Sequence, residues 1–201
     1  MSINIGIYVY DEVEVLDFAG PYEVFTTASR MHMRNSLDDR PLFNVFTIGR
    51  TTSSIKARAG LKVDPDYSIS DHPVMDCLIV PGGVVTAELE KPDVIHWISG
   101  QSAPERVVAS VCTGAFLLAK TGKLAGKQVT THWEDLEDLK EMFPAIDVLS
   151  TLRWVDEGSF VTSAGISAGI DMSLHLVERL HSRKLADRTA RQLDFDWTEN
   201  N

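Results

Sequence analysis

Cys112 lies where the apolar, β-branched run Val107-Val108-Ala109-Ser110-Val111 passes without a spacer into the helix-forming run Thr113-Gly114-Ala115-Phe116-Leu117-Leu118-Ala119. A residue at such a junction is held in a tight turn beside a helix N-terminus, where backbone N–H groups and the helix dipole favour negative charge. For a thiol this setting lowers the pKa and enlarges the thiolate fraction, the form that attacks electrophiles. The same turn built around serine is the nucleophile elbow of hydrolases. The alternative is that Cys112 is a buried small hydrophobe, as many free cysteines are. Cys77, between Asp76 and Leu78, has no such setting and reads as structural.

Other residue types that do chemistry are scattered along the chain. Asp17 precedes a helical stretch, where aspartate is a favoured N-cap. Pro81-Gly82-Gly83 ends an apolar strand and by itself is an ordinary strand-to-helix turn. His132-Trp133-Glu134 offers a His-x-Glu pair only about one βα unit after Cys112. His175, Glu178 and His181 recur every three residues on one helix, and steps of three drift by about 60° each. They do not converge, no fourth ligand is evident, and no metal site is expected.

The elements that must position these residues alternate between short apolar strands and helices, the pattern of a parallel sheet covered on both faces. Strands are expected over 3–10, 42–48, 77–80 and 106–111, with a further strand beginning at 129 and others over 146–149, 151–155 and 160–162. Helices are expected over 21–33, from 93, over 113–120 with Gly122 as the C-terminal stop, over 134–142, and over 167–181 as the last long one. Residues 53–63 read as a hairpin excursion. Open α/β sheets place ligands at the carboxyl ends of their strands, which is where Cys112 falls.

Bulk properties narrow the class. A chain of 201 residues, with no linker or internal repeat, suits a single α/β domain spanning 1–201. The formal net charge of −10 sets a repulsive background for any polyanion, so nucleic acid is not an expected partner. No signal peptide is expected, since the N-terminus shows neither a basic region nor a long apolar core, and no apolar run approaches the about 20 residues of a membrane span. With two cysteines no disulfide framework is expected, and the reading is a soluble cytoplasmic protein with free thiols.

A family resemblance is carried by particular motifs. Val111-Cys112-Thr113-Gly114-Ala115-Phe116-Leu117-Leu118-Ala119, Gly122-Lys123-Leu124 and Thr130-Thr131-His132-Trp133 resemble the nucleophile region of the ThiJ/PfpI superfamily. The likeness extends to Leu16-Asp17-Phe18-Ala19-Gly20-Pro21, to Val80-Pro81-Gly82-Gly83 and to the segment 162–171. It ends with Ala190-Arg191-Gln192-Leu193-Asp194-Phe195-Asp196 and so covers nearly the whole chain in order. Within the superfamily the sequence is most similar to the isonitrile (isocyanide) hydratase branch, and it also resembles the sensing domains of AraC-type regulators.

The resemblance implies a flavodoxin-like three-layer sandwich with a mostly parallel central sheet, a homodimer and a cofactor-free reaction on a small molecule. It makes Cys112 the nucleophile and Asp17 the acid that faces it, in place of the N-cap reading. A carboxyl beside a thiolate in a dry pocket has its pKa raised by burial and like charge. Gly83 and the Thr113 backbone N–H would form an oxyanion-type pocket, and His132 would line it. Thr113 stands where the PfpI-type proteases carry a histidine, which speaks against proteolysis. The implied activity is addition of water to an isocyanide to give a formamide. The alternatives are a non-catalytic ligand or redox sensor, and hydrolase, glyoxalase-like or deglycase-like chemistry. No helix-turn-helix segment is visible, so direct DNA binding is not expected.

Overall fold

In the computed structural model, which describes residues 2–34 and 40–200, the apolar runs become the middle of a sheet. Its strands are β1 (Ile3–Tyr8), β2 (Phe43–Gly49), β3 (Tyr67–Ser68), β4 (Cys77–Val80), β5 (Val107–Val111), β6 (Trp154–Asp156) and β7 (Phe160–Ser163). They lie in the order β6-β7-β5-β4-β1-β2-β3. Every neighbouring pair is parallel except β6 with β7. β4 and β5 are buried at every residue, as strands covered on both faces must be.

The covering helices are α1 (Val15–Met33), α2 (Thr86–Leu89), α3 (Pro92–Gly100), α4 (Gly114–Lys120), α5 (Leu136–Met142), α6 (Ala168–Leu180) and α7 (Arg183–Gln192). α1, α6 and α7 pack on one another as one layer, and α2, α3 and α4 form the other. Gly122 has φ +76° just past α4 and donates to the Ala119 carbonyl, the stop that the sequence signals. Ile55–Lys56 pairs with Lys62–Val63 as the expected hairpin. Among the described residues no helix is long and apolar enough to cross a membrane.

Three elements differ from the sequence reading. α1 starts at Val15 rather than at Pro21, so the proline lies inside the helix and leaves the Asp17 carbonyl without its helical donor. Burial of the apolar side chains Phe18, Val24, Phe25, Ala28 and Met31 on that helix outweighs the lost bond. Gly20 allows α6 close, since a Cβ there would meet Ile170 Cγ1 at 3.1 Å. The segments near 129 and 147 pair with each other, Gln128–Val129 with Asp147–Val148, outside the main sheet. Finally, α6 is not the last helix. α7 follows, capped by the Ser182 hydroxyl, which accepts from Leu185 N at 3.3 Å, and buries Leu185, Ala186, Thr189 and Ala190 beneath a charged face.

Candidate active site

β5 delivers Cys112 into a left-handed turn, with φ at 56°. That conformation costs a non-glycine residue about 1–2 kcal/mol, so neighbouring contacts must hold it. The Cys112 N–H donates to the Ser163 and Ala164 carbonyls at 3.1 and 3.3 Å, and the Thr131 hydroxyl donates to the Cys112 carbonyl at 2.8 Å. Both neighbouring segments must also come close. A Cβ on Gly114 would overlap the Val80 carbonyl oxygen, and one on Gly169 would meet Val111 Cγ1 at 2.7 Å. The elbow is therefore clamped between the ends of β4 and β7.

Asp17 reaches this turn from the first turn of α1 and is fully buried. It is not the helix cap, because Glu14 holds that position. Its Oδ2 accepts from Gly82 N at 3.0 Å, while Oδ1 is buried with no well-formed hydrogen bond. Burial pushes the carboxyl up to about 7; the Gly82 N–H works against the rise, Glu14 adds to it, and the adjoining Cys112 thiol draws it back down. A Cβ on Gly82 would lie 2.6 Å from Thr113 N and 2.9 Å from Asp17 Oδ2, so only glycine lets these groups converge.

The thiol departs from the sequence expectation of a lowered pKa. Burial, and next the Asp17 charge, push Cys112 up to about 12, against the backbone N–H groups of Thr113 and Ile166 that face the sulfur. Desolvation outweighs the turn's N–H groups because Cys112 is only 7% exposed. The proton of the pair therefore resides on sulfur at neutral pH, and the carboxyl beside it titrates near neutrality. Such a carboxylate has the basicity of an efficient general base. Cys77 is likewise pushed up to about 12 by complete burial, in keeping with a structural role.

The remaining expected residues are placed as follows. The Gly83 N–H donates to Thr113 Oγ1 at 2.9 Å, and that hydroxyl donates back to the Gly83 carbonyl at 2.9 Å. Gly83 is thus engaged with the threonine side chain rather than aimed at a ligand. The second N–H at the sulfur belongs instead to Ile166, a residue with φ 43° that sequence reasoning missed. A non-glycine left-handed residue in a Gly-Ile-Ser-Ala-Gly run leaves no sequence signal of its own. His132 packs against Gly165, with Nδ1 at 3.2 Å from Asp135 Oδ2 and accepting from Glu134 N at 3.4 Å. It adjoins the elbow through Thr131 without forming a triad with Cys112. Tyr10, behind Asp17, donates its hydroxyl to the Pro81 carbonyl at 3.1 Å.

His175, Glu178 and His181 engage separate partners: Asp156, Arg183 and Ser182. Beside the elbow a groove of about 650 Å³ is lined by Gly83, Thr113, Phe116, Val84, Met142 and Asp135 among others.

A strained cysteine on a β5–α4 elbow, an acid from α1 beside it and a Pro-Gly-Gly turn closing over both form one constellation, and the DJ-1/PfpI family model matches this chain over residues 4–179. The chain belongs to the DJ-1/PfpI family. Among its DJ-1/PfpI relatives, isonitrile hydratase of Pseudomonas putida is 33% identical over 196 residues, covering 97% of this chain and 79% of that protein. The HTH-type transcriptional regulator GbdR of Pseudomonas aeruginosa is 30% identical over 197 residues, 98% of this chain. The chain spans about half of that regulator, 52%. A crystal structure of a ThiJ/PfpI family protein from Pseudomonas syringae superposes with a TM-score of 0.84 over 100% of this chain and 78% of that one, at 23% identity. That likeness shows the flavodoxin-like fold.

Proposed function

We propose that this protein is a cysteine-dependent hydro-lyase that adds water to a small isocyanide to give an N-substituted formamide. The observation that carries the reading is the pairing of Cys112 with a buried carboxyl whose pKa lies near 7, while His132, the histidine adjoining the elbow, is engaged with Asp135 and Glu134. Asp17 takes the thiol proton as sulfur attacks the terminal carbon of R–N≡C, and returns that proton to the same carbon, giving a thioimidate R–N=CH–S–Cys112. Water adds across the C=N bond, and the tetrahedral adduct collapses to R–NH–CHO as the thiol is regenerated. Oxygen and both water hydrogens end in the formamide and the thiol, so no cofactor is required. The N–H groups of Thr113 and Ile166 stabilise the sulfur while it carries charge. The proposal includes a cytoplasmic homodimer as the working form and a small molecule as its sole partner. The groove beside the elbow has room for an aliphatic or aromatic R group against Val84, Phe116 and Met142.

The test is to follow loss of a small isocyanide and appearance of its formamide with purified protein. Turnover by the parent and none by Cys112→Ala supports the reading; equal turnover by both removes Cys112 from the chemistry. A sensor is the second reading, favoured by the 30% identity to a transcriptional regulator. It predicts no turnover together with selective peroxide oxidation of Cys112.

A further inference from the structure

The segment between β7 and α6 lies against the elbow, since the Ala164 carbonyl accepts from the Cys112 N–H at 3.3 Å, and from there the Ile166 N–H acts on the Cys112 sulfur. Ile166 is a β-branched residue at φ 43°, and its side chain is exposed, so its own packing does not hold that backbone. The support comes from one step further out. Arg153, just before β6, donates from Nε to Asp171 Oδ2 at 2.7 Å and from Nη2 to Ser167 Oγ at 3.3 Å. Its backbone carbonyl accepts from Ala164 N at 2.8 Å, and Ala164 in turn is one of the two acceptors for the Cys112 N–H. Arg153 thus touches both sides of the Ile166 turn.

Asp171 completes the arrangement. It sits fully buried in the first turn of α6, and its second oxygen accepts from Thr198 N at 2.7 Å. A buried carboxylate is retained when it is paired and hydrogen-bonded, and breaking such a pair is costly. The planar guanidinium fork reaches Asp171 and Ser167 together, which the single point of a lysine ammonium does not reproduce. Ser167 adjoins Ile166, so the fork fixes the turn from its C-terminal side.

We infer that Arg153, through Asp171 and Ser167, is a positioning residue that holds the Ile166 N–H against the Cys112 sulfur. This rests on the reading of Cys112 as the nucleophile, but not on the identity of its substrate. Loosening the turn withdraws one of two N–H groups from the sulfur and makes the thiol less reactive without altering any group that touches it.

The test reads Cys112 itself. Alkylation by iodoacetamide is followed by intact mass across the neutral to alkaline range, in the parent, Arg153→Gln and Ser167→Ala, with thermal unfolding recorded in parallel. Arg153→Gln is expected to alkylate about tenfold more slowly at a given pH, the equivalent of a rise of about one pH unit in the profile. Ser167→Ala, at an exposed position where folding is not at risk, is expected to slow it about threefold with no change in unfolding temperature. Parental alkylation in Ser167→Ala, or in a folded Arg153→Gln, overturns the inference, since a merely structural ion pair would move the unfolding temperature alone. Absence of isocyanide turnover in a parent whose variants alkylate slowly would defeat the hydratase reading and leave the positioning role standing.

Discussion

Asp17→Asn is expected to stabilise the protein at alkaline pH while removing the proposed activity. The carboxyl titrates at about 7 in the fold against an ordinary 3.8, chiefly because it is buried. At about 1.4 kcal/mol per pH unit, charging it in place costs about 4 kcal/mol more than charging it in the unfolded chain. A raised acid pKa means that the unfolded chain gives up its proton first. Stability is therefore lost as pH rises from about 4 to about 7 and stays level above that. Asparagine carries no charge and keeps an oxygen for the Gly82 N–H, which Oδ2 now holds at 3.0 Å. Its new N–H donors must find partners, so the gain at about pH 8 is about 2–4 kcal/mol, shrinking towards zero at about pH 4. Urea unfolding of parent and variant at both pH values measures the difference directly. A difference that is the same at both would refute the buried, near-neutral carboxyl on which the mechanism depends.

Three further outcomes follow from the same geometry. The kcat/KM for isocyanide is expected to rise with pH through about 7 as Asp17 becomes the base; a flat profile across that range would leave the carboxyl out of the rate. Cys112→Gly is expected to unfold at higher denaturant than Cys112→Ala, by about 1 kcal/mol, because glycine adopts the φ of 56° without strain. Thr113→Val leaves both backbone groups of Gly83 without their side-chain partner and is expected to cost about 1–3 kcal/mol in urea unfolding, along with a fall in turnover.

Much of this site is legible in the sequence because its signals are local. A valine-rich run, a cysteine, and a glycine directly after the threonine together mark an elbow. The Pro-Gly-Gly turn and Asp17 carry no such local mark: by themselves they read as an ordinary turn and a helix N-cap, and only the family resemblance joins them to Cys112. Properties set by distant segments are not legible in this way. Pro21 reads as a helix start, yet burial along α1 overrides the proline. α7 escapes notice because Arg183, Lys184, Arg188 and Arg191 hide a narrow apolar stripe. The sign of the thiol's shift depends on how dry the elbow becomes when α1 and the Pro81 turn close over it, which no local pattern contains. Ile166 is invisible for the same reason: its N–H matters only because β7 returns to the elbow.

The central claim is that Cys112 attacks the isocyanide carbon and carries the substrate as a thioimidate. Intact-mass measurement of protein quenched during turnover tests it most directly. The account predicts a mass increase equal to one isocyanide, mapped to the peptide containing Cys112 and lost as formamide accumulates. Formamide production at the parental rate by Cys112→Ala, with no adduct on the parent, would contradict it.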